Sequence, residues 1–235
     1  MATPALTREV LEEAHTAAEY LQWARALIAR VREEHDGLER IRLRIGLAQE
    51  LMNEVFPLGL LASKYFNGSD EVRIQLKIGN QNHDATVSDA RDRGSSVEYV
   101  EVTLASEGED NYLRMRVLHK EGQVSGLGPV TKSGTQRTGL KIHVEPQAVS
   151  QAEVLQGEKN RVVQAIERKL GKSYPSNTLL LVGFNDEMAY DRPDNIAGLE
   201  SAVSAYLPQL KAFHSVAIVG LSQGLFMSWR TGSAI

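Results

Sequence analysis

Three runs of the sequence decide the fold: Val72-Arg73-Ile74-Gln75-Leu76-Lys77-Ile78, Asp84-Ala85-Thr86-Val87-Ser88 and Val97-Glu98-Tyr99-Val100-Glu101-Val102-Thr103-Leu104-Ala105. In the first, Val72, Ile74, Leu76 and Ile78 alternate with Arg73, Gln75 and Lys77, the period of a half-buried strand. In the third, Val100, Val102 and Leu104 face one way and Tyr99, Glu101 and Thr103 the other. The second gives Asp84, Thr86 and Ser88 to one face and Ala85 and Val87 to its opposite. The turn residues Asp92-Arg93-Gly94-Ser95 and the short connections make these three strands an antiparallel meander.

Toward the N-terminus the pattern is helical. Thr7 is placed as an N-cap, with Glu9, Glu12 and Glu13 in the first turns, where they complement the helix dipole. Apolar residues from Val10 through Leu21 to Val31 keep a 3.6 period, so one helix is expected to about His35, stopped by Asp36-Gly37. A second follows with Leu38, Ile41, Ile45, Leu51 and Val55 inward. Pro57 should interrupt or kink it before it ends near Phe66-Asn67-Gly68.

Beyond the meander, Asn111–Lys120 reads as a helix, Gly122–Gly139 as a glycine-rich loop and Leu140–Val144 as a short strand. A long helix spans Ser150–Leu170. Thr178–Phe184 and Ser215–Leu221 are apolar enough for fully buried strands, with a helix over Leu199–Leu210 between them. Ser222-Gln223-Gly224 then turns the chain into Leu225–Trp229. This order predicts an α/β fold: a mixed β-sheet, helices on both faces, and a helical N-terminus. Residues 1–37 are expected to form a separable element, for attachment or self-association, and 38–235 the α/β domain.

With 42% hydrophobic and 24% charged residues among 235, the composition is that of an ordinary globular chain. No stretch approaches the ~20 apolar residues that span a bilayer. Met1–Arg8 has no signal-peptide pattern, and cysteine is absent, so a reducing cytoplasmic setting without membrane contact is expected. Charge is uneven. Asn111–Lys172 holds 11 Lys/Arg against 5 Asp/Glu, a local +6, within a chain of net −4. Clustered cations offset phosphate charge, so a nucleic acid is expected to contact this segment, through Arg114, Arg116, Lys120, Lys132, Arg137 and Lys141.

Antiparallel pairing of the second and third strands would set Asp84 beside Glu101, since opposed Cβ atoms lie about 5 Å apart. Two such carboxylates repel unless a cation joins them. Mg²⁺ or Mn²⁺ suits oxygen ligands, and Mg²⁺ needs only one or two carboxylates plus water and substrate oxygens. A bound divalent ion can acidify water and stabilise charge on a scissile phosphate.

At these residues the chain resembles the PD-(D/E)XK, or restriction-endonuclease-like, nuclease superfamily. His83-Asp84 stands for the motif's first element and Glu101-Val102-Thr103 for its E-x-K. The resemblance covers about residues 38–184. It implies an αβββαβ core and a metal-dependent nuclease for DNA or RNA, in a setting such as bacterial defence. It also implies metal ligation by Asp84 and Glu101, completed by Glu54 (or Glu50) from the preceding helix. Thr103 occupies the position of the motif lysine, which orients the attacking water. Lys132, Lys141 or Lys120 is expected to supply that amine from elsewhere. The alternative is a non-catalytic nuclease-like scaffold that binds a protein partner or a second copy through its N-terminal helices.

Other signals carry less. Gly126–Ser133 lacks the second glycine of a phosphate-binding loop, Thr131 standing there. The six histidines show no metal-ligand spacing, and His83 alone lies near the carboxylates. Asn185-Asp186-Glu187, just past a buried strand, is a rival acidic site or a surface loop.

Overall fold

Period-two alternation and short turns give neighbouring strands here, while the apolar runs downstream give central ones. The computed structural model describes residues 4–92, 94–135, 139–187, 192–222 and 224–231. In chain order these form α1 (Arg8–Leu11), β1 (His15–Thr16), α2 (Ala17–Arg32), α3 (Gly37–Leu43), α4 (Ala48–Glu50) and α5 (Phe56–Lys64). Then come β2 (Val72–Leu76), β3 (Ala85–Asp89), β4 (Tyr99–Ala105), α6 (Glu109–Glu121), β5 (Val130–Ser133) and β6 (Lys141–Val144). The chain continues through α7 (Gln151–Glu167), β7 (Thr178–Phe184), α8 (Pro193–Ser204), β8 (Ser215–Gly220) and β9 (Phe226–Arg230).

Seven strands make one mixed sheet in the order β1-β2-β3-β4-β7-β8-β9. The β2–β3–β4 meander is antiparallel, β4, β7 and β8 run parallel, and β9 returns antiparallel. The mixed α/β architecture with helices on both faces is therefore the one expected. On one face Val72, Ile74, Ala85, Val100, Leu179 and Ala217 pack with Leu27, Leu51, Leu58 and Leu61. On the other, Leu180, Val182 and Val216 pack with Val162 and Ile166 of α7 and Leu199 and Val203 of α8. This second layer covers β7 and β8. The same side of β2–β4 instead carries Arg73, Gln75, Thr86, Ser88, Tyr99 and Glu101, all half-buried or exposed.

Local departures have local causes. The helix expected over Thr7–His35 breaks after Leu11, and His15 and Thr16 pair with Ile74 and Arg73 at the sheet edge. Thr16 then caps α2 by accepting from the Glu19 amide at 3.3 Å. The described part of this segment, residues 4–37, thus adds a strand to the sheet, and Leu11, Tyr20, Ala24 and Val31 join the main core. Pro57 does not end its helix. A π-helical turn, Leu51–Val55, links α4 to α5, with the Phe56 amide bonded to the Leu51 carbonyl. A proline lacks a donor and crowds the carbonyls before it; a wider turn accommodates both. Pro193 starts α8 earlier than expected, and Pro208 limits the continuation to a 3₁₀ turn, Leu207–Gln209. The glycine-rich stretch contains β5, which pairs with β6 as a separate two-stranded ribbon. Among the described residues no helix is long and apolar enough to cross a membrane.

Candidate active site

β3 and β4 are held in register by Ala85 opposite Val100 and Thr86 opposite Tyr99. Asp84 lies just before this paired stretch, near enough to Glu101 for the Glu101 charge to act on it. The Asp84 amide donates to the Val100 carbonyl at 2.8 Å, and its Oδ2 accepts from the Val102 amide at 2.7 Å. Asp84 therefore bonds to the β4 backbone on both sides of Glu101, through its own amide on one side and its carboxylate on the other. On its other flank, the Lys77 amide donates to the Asp84 carbonyl at 2.8 Å.

Lys169 supplies the amine. Just past the end of α7, its Nζ lies 2.6 Å from Glu101 Oε1, both side chains being nearly buried at 14% and 12% exposure. The neighbouring Arg168 donates to the Leu104 carbonyl at 3.0 Å, fixing this turn against β4. Sequence reasoning looked to Lys132, Lys120 and Lys141 instead. Lys132 pairs with Glu109, while Lys120 lies in the last turn of α6 and Lys141 begins β6, both exposed. Thr103 sits half-buried on the Glu101 side of β4. The signal that could have found Lys169 is topological. A helix that returns the chain to a strand parallel to β4 must bring its C-terminal end back to the start of β4.

Glu54, carried on the π-helical turn, approaches this pair from the preceding helix. Burial raises its carboxyl to about 8, aided by the charges of Asp84, Glu50 and Glu101. Burial also raises Asp84 to about 6, with the Glu101 charge adding to the effect and the Val102 amide opposing it. The His83 ring lies tilted on Tyr99, centroids 4.7 Å apart, and burial lowers its basicity. Four buried polar atoms around these carboxylates have no hydrogen-bond partner: Glu50 Oε2, His83 Nδ1, Tyr20 Oη and Tyr174 Oη.

Among the described residues no group of three or more His, Asp or Glu is drawn close enough to hold a metal by itself. The donor chemistry nevertheless fits a hard divalent cation. Asp84, Glu101 and Glu54 are oxygen donors, near enough that the Glu101 charge adds to the rise of both other carboxyls, and that repulsion is what a cation would relieve.

The basic segment divides. Arg114 is buried, pairs with Glu107 and donates to the Gly128 carbonyl at 2.8 Å. Glu107 also takes Arg161 at 3.1 Å, so Arg114 ties α6 to the approach of β5 rather than facing solvent. Arg116 is half-buried, 5.9 Å over the Tyr112 ring. Lys120, Lys132 and Lys141 remain on the surface, and Arg137 lies outside the described residues. The rival acidic position is architectural. Asp186 is buried and accepts from the amides of Ser222 at 2.8 Å and Leu225 at 3.0 Å. Its carboxyl occupies the space that a Cβ on Gly220 would need.

Neither a family model, nor a curated protein, nor a solved structure matches this chain, so the functional reading rests on its own residues.

Proposed function

We propose that this protein is a metal-dependent nuclease that hydrolyses phosphodiester bonds of DNA or RNA, with Asp84, Glu101, Glu54 and Lys169 as its working groups. The observation that carries the reading is the Asp84–Glu101 juxtaposition with the Lys169 ammonium on Glu101. A surface salt bridge would not need a second buried carboxylate held to about 6 beside it. From α5 to β7 the order is helix, three strands, helix α6, the β5–β6 ribbon, helix α7 and strand β7; with α6 and the ribbon taken as an insertion, the order supports the resemblance to PD-(D/E)XK nucleases.

Asp84 and Glu101 would hold Mg²⁺ or Mn²⁺, which when bound supplies positive charge beside the scissile phosphate. Glu54 would support them from the helix. Lys169 takes the part assigned to the motif lysine, holding a water's oxygen in line with phosphorus while its charge opposes the growing negative charge. Substrate would approach over the polar side of β2–β4, with Lys120, Lys132 and Lys141 contributing phosphate contacts. A cysteine-free chain suits a cytoplasmic setting, and defence against foreign nucleic acid is the role we propose for it.

The test is incubation with Mg²⁺ or Mn²⁺ and single- or double-stranded DNA and RNA, with wild type, Glu101→Ala and Lys169→Ala. Metal-dependent cleavage abolished by both substitutions is expected. Intact nucleic acid in every wild-type reaction, or cleavage that survives Glu101→Ala, overturns the reading.

One observation favours a non-catalytic scaffold: Lys169 already neutralises Glu101, and a buried ion pair can serve the fold alone. That reading requires no stabilisation by Mn²⁺ in a thermal melt and a protein partner that co-purifies.

A further inference from the structure

A groove open to solvent lies between α2, α5 and the β8–β9 turn, with a volume of ≈ 320 Å³. That is near the lower end of small-molecule sites, which hold about 300–1,000 Å³. Its floor is apolar: Leu21 of α2, Phe56 and Leu60 of α5, and Leu221 just past β8 line it. Close packing fixes these walls. A Cβ on Gly59 would stand 3.0 Å from the Leu21 Cα, so glycine there lets α2 lie this near α5. The turn is pinned by the buried Asp186 carboxylate, which accepts from the Ser222 and Leu225 amides, and the Leu221 amide donates to the Phe184 carbonyl at 2.9 Å.

The rim is cationic. Arg25 and Lys64, both exposed, enter it from α2 and α5. Neither has an acidic residue three or four positions away, the spacing at which helical ion pairs form. Among the described residues no carboxylate pairs with either from another element. Glu187 reaches the rim at the Ser222 hydroxyl, which donates to it at 3.3 Å. An anionic head is therefore directed to the helix side of the groove, where Arg25, Lys64 and Ser63 stand. We propose that this groove binds a small amphipathic anion, a carboxylate carried on an aliphatic body. Arg25 takes the carboxylate oxygens in its guanidinium fork, and Lys64 adds a point charge. The body lies on Leu21, Phe56, Leu60 and Leu221, removing apolar surface from water. Exposed charges alone attract weakly, so affinity requires head and body together. The groove shares no residue with the Asp84, Glu101, Glu54 and Lys169 cluster, and the proposal is independent of the nuclease reading.

Calorimetric titration of the whole chain with octanoate, in EDTA, tests the site. One octanoate per chain is expected. Acetate, the head alone, and 1-octanol, the body alone, are each expected to bind at least about 10-fold more weakly. Arg25→Met and Lys64→Met keep their apolar stems and change exposed helix positions, so both are expected to melt as wild type does. Each is expected to weaken octanoate about 5- to 10-fold. Arg30→Met, exposed on α2 outside the groove, is expected to bind octanoate unchanged, as is Glu101→Ala. No heat from millimolar octanoate overturns the proposal. So does acetate binding as tightly as octanoate, or a folded double variant, Arg25→Met with Lys64→Met, whose octanoate affinity equals wild type.

Discussion

Lys169 Nζ meets Glu101 Oε1 at 2.6 Å across 68 residues of sequence. Thr103, which stands where the resemblance places a lysine, leaves that amine to be supplied from a different element. Removing the ammonium by Lys169→Met leaves a nearly buried carboxylate without its partner, which should cost about 1–3 kcal/mol of stability by denaturant titration. Metal-dependent cleavage should fall about 10²–10⁴-fold. Adding Thr103→Lys to that variant places an amine on the Glu101 side of β4, and recovery of at least tenfold is expected. A double variant as inactive as Lys169→Met would show that position 103 cannot substitute.

The carboxylates make apo stability depend on pH. Asp84 at about 6 and Glu54 at about 8 both stand above the ordinary 3.8 and 4.5 of such groups. A raised acid keeps its proton longer in the folded than in the unfolded chain. Its stabilising contribution is therefore complete at the acid end and drains away as pH climbs through the folded value. In EDTA the melting temperature should decline from pH 5 to pH 9 on this account. Glu54→Gln should flatten the upper part of the decline and gain about 1–3 kcal/mol at pH 9. A variant whose melting curve tracks wild type across that range would contradict the assignment.

Divalent cations compete with the same protons. Mn²⁺ affinity measured by calorimetry should rise at least tenfold between pH 5.5 and pH 8.5, with proton uptake by the buffer. Asp84→Asn should weaken it at the upper pH by a similar factor. Affinity independent of pH would place the ion somewhere other than among these groups.

Arg114 and the exposed lysines should separate cleanly. Arg114→Met breaks a buried pairing with Glu107 and the Gly128 carbonyl, and a loss of about 2–4 kcal/mol is expected. Lys120→Ala and Lys141→Ala should leave melting unchanged. Each should lower the salt dependence of nucleic-acid binding by about one unit of slope. An Arg114→Met protein of wild-type stability that binds nucleic acid poorly would reverse these roles.

The meander was legible because burial enforces period two: the positions read as inward on β2 and β3 are those in the main core. The same pattern gave the antiparallel pairing of β3 with β4, Ala85 opposite Val100 and Thr86 opposite Tyr99. Glu54 was reached only through the family resemblance, since a glutamate on a helix carries no mark of what it faces. Lys169 was missed because its position depends on how α7 returns across the sheet, which no local pattern encodes. The break before β1 was hidden by apolar spacing that runs through Ala14, Ala17 and Ala18, although Thr16 and Glu19 spell a cap followed by an acid three residues later. β5 was hidden by its glycine surroundings, whereas β6 is the short strand read at Leu140–Val144.

The π-helical turn over Leu51–Val55 gives the chain a phase slip at Glu54. Ordinary helix advances about 100° per residue, so a turn one residue too wide re-aims everything on one side of it relative to the other. Excising Asn53 should let the helix close up as regular α and swing the Glu54 carboxyl off the cluster, while Leu58 and Leu61 stay in the core. Shape and reactivity would then be uncoupled by the loss of a single amino acid.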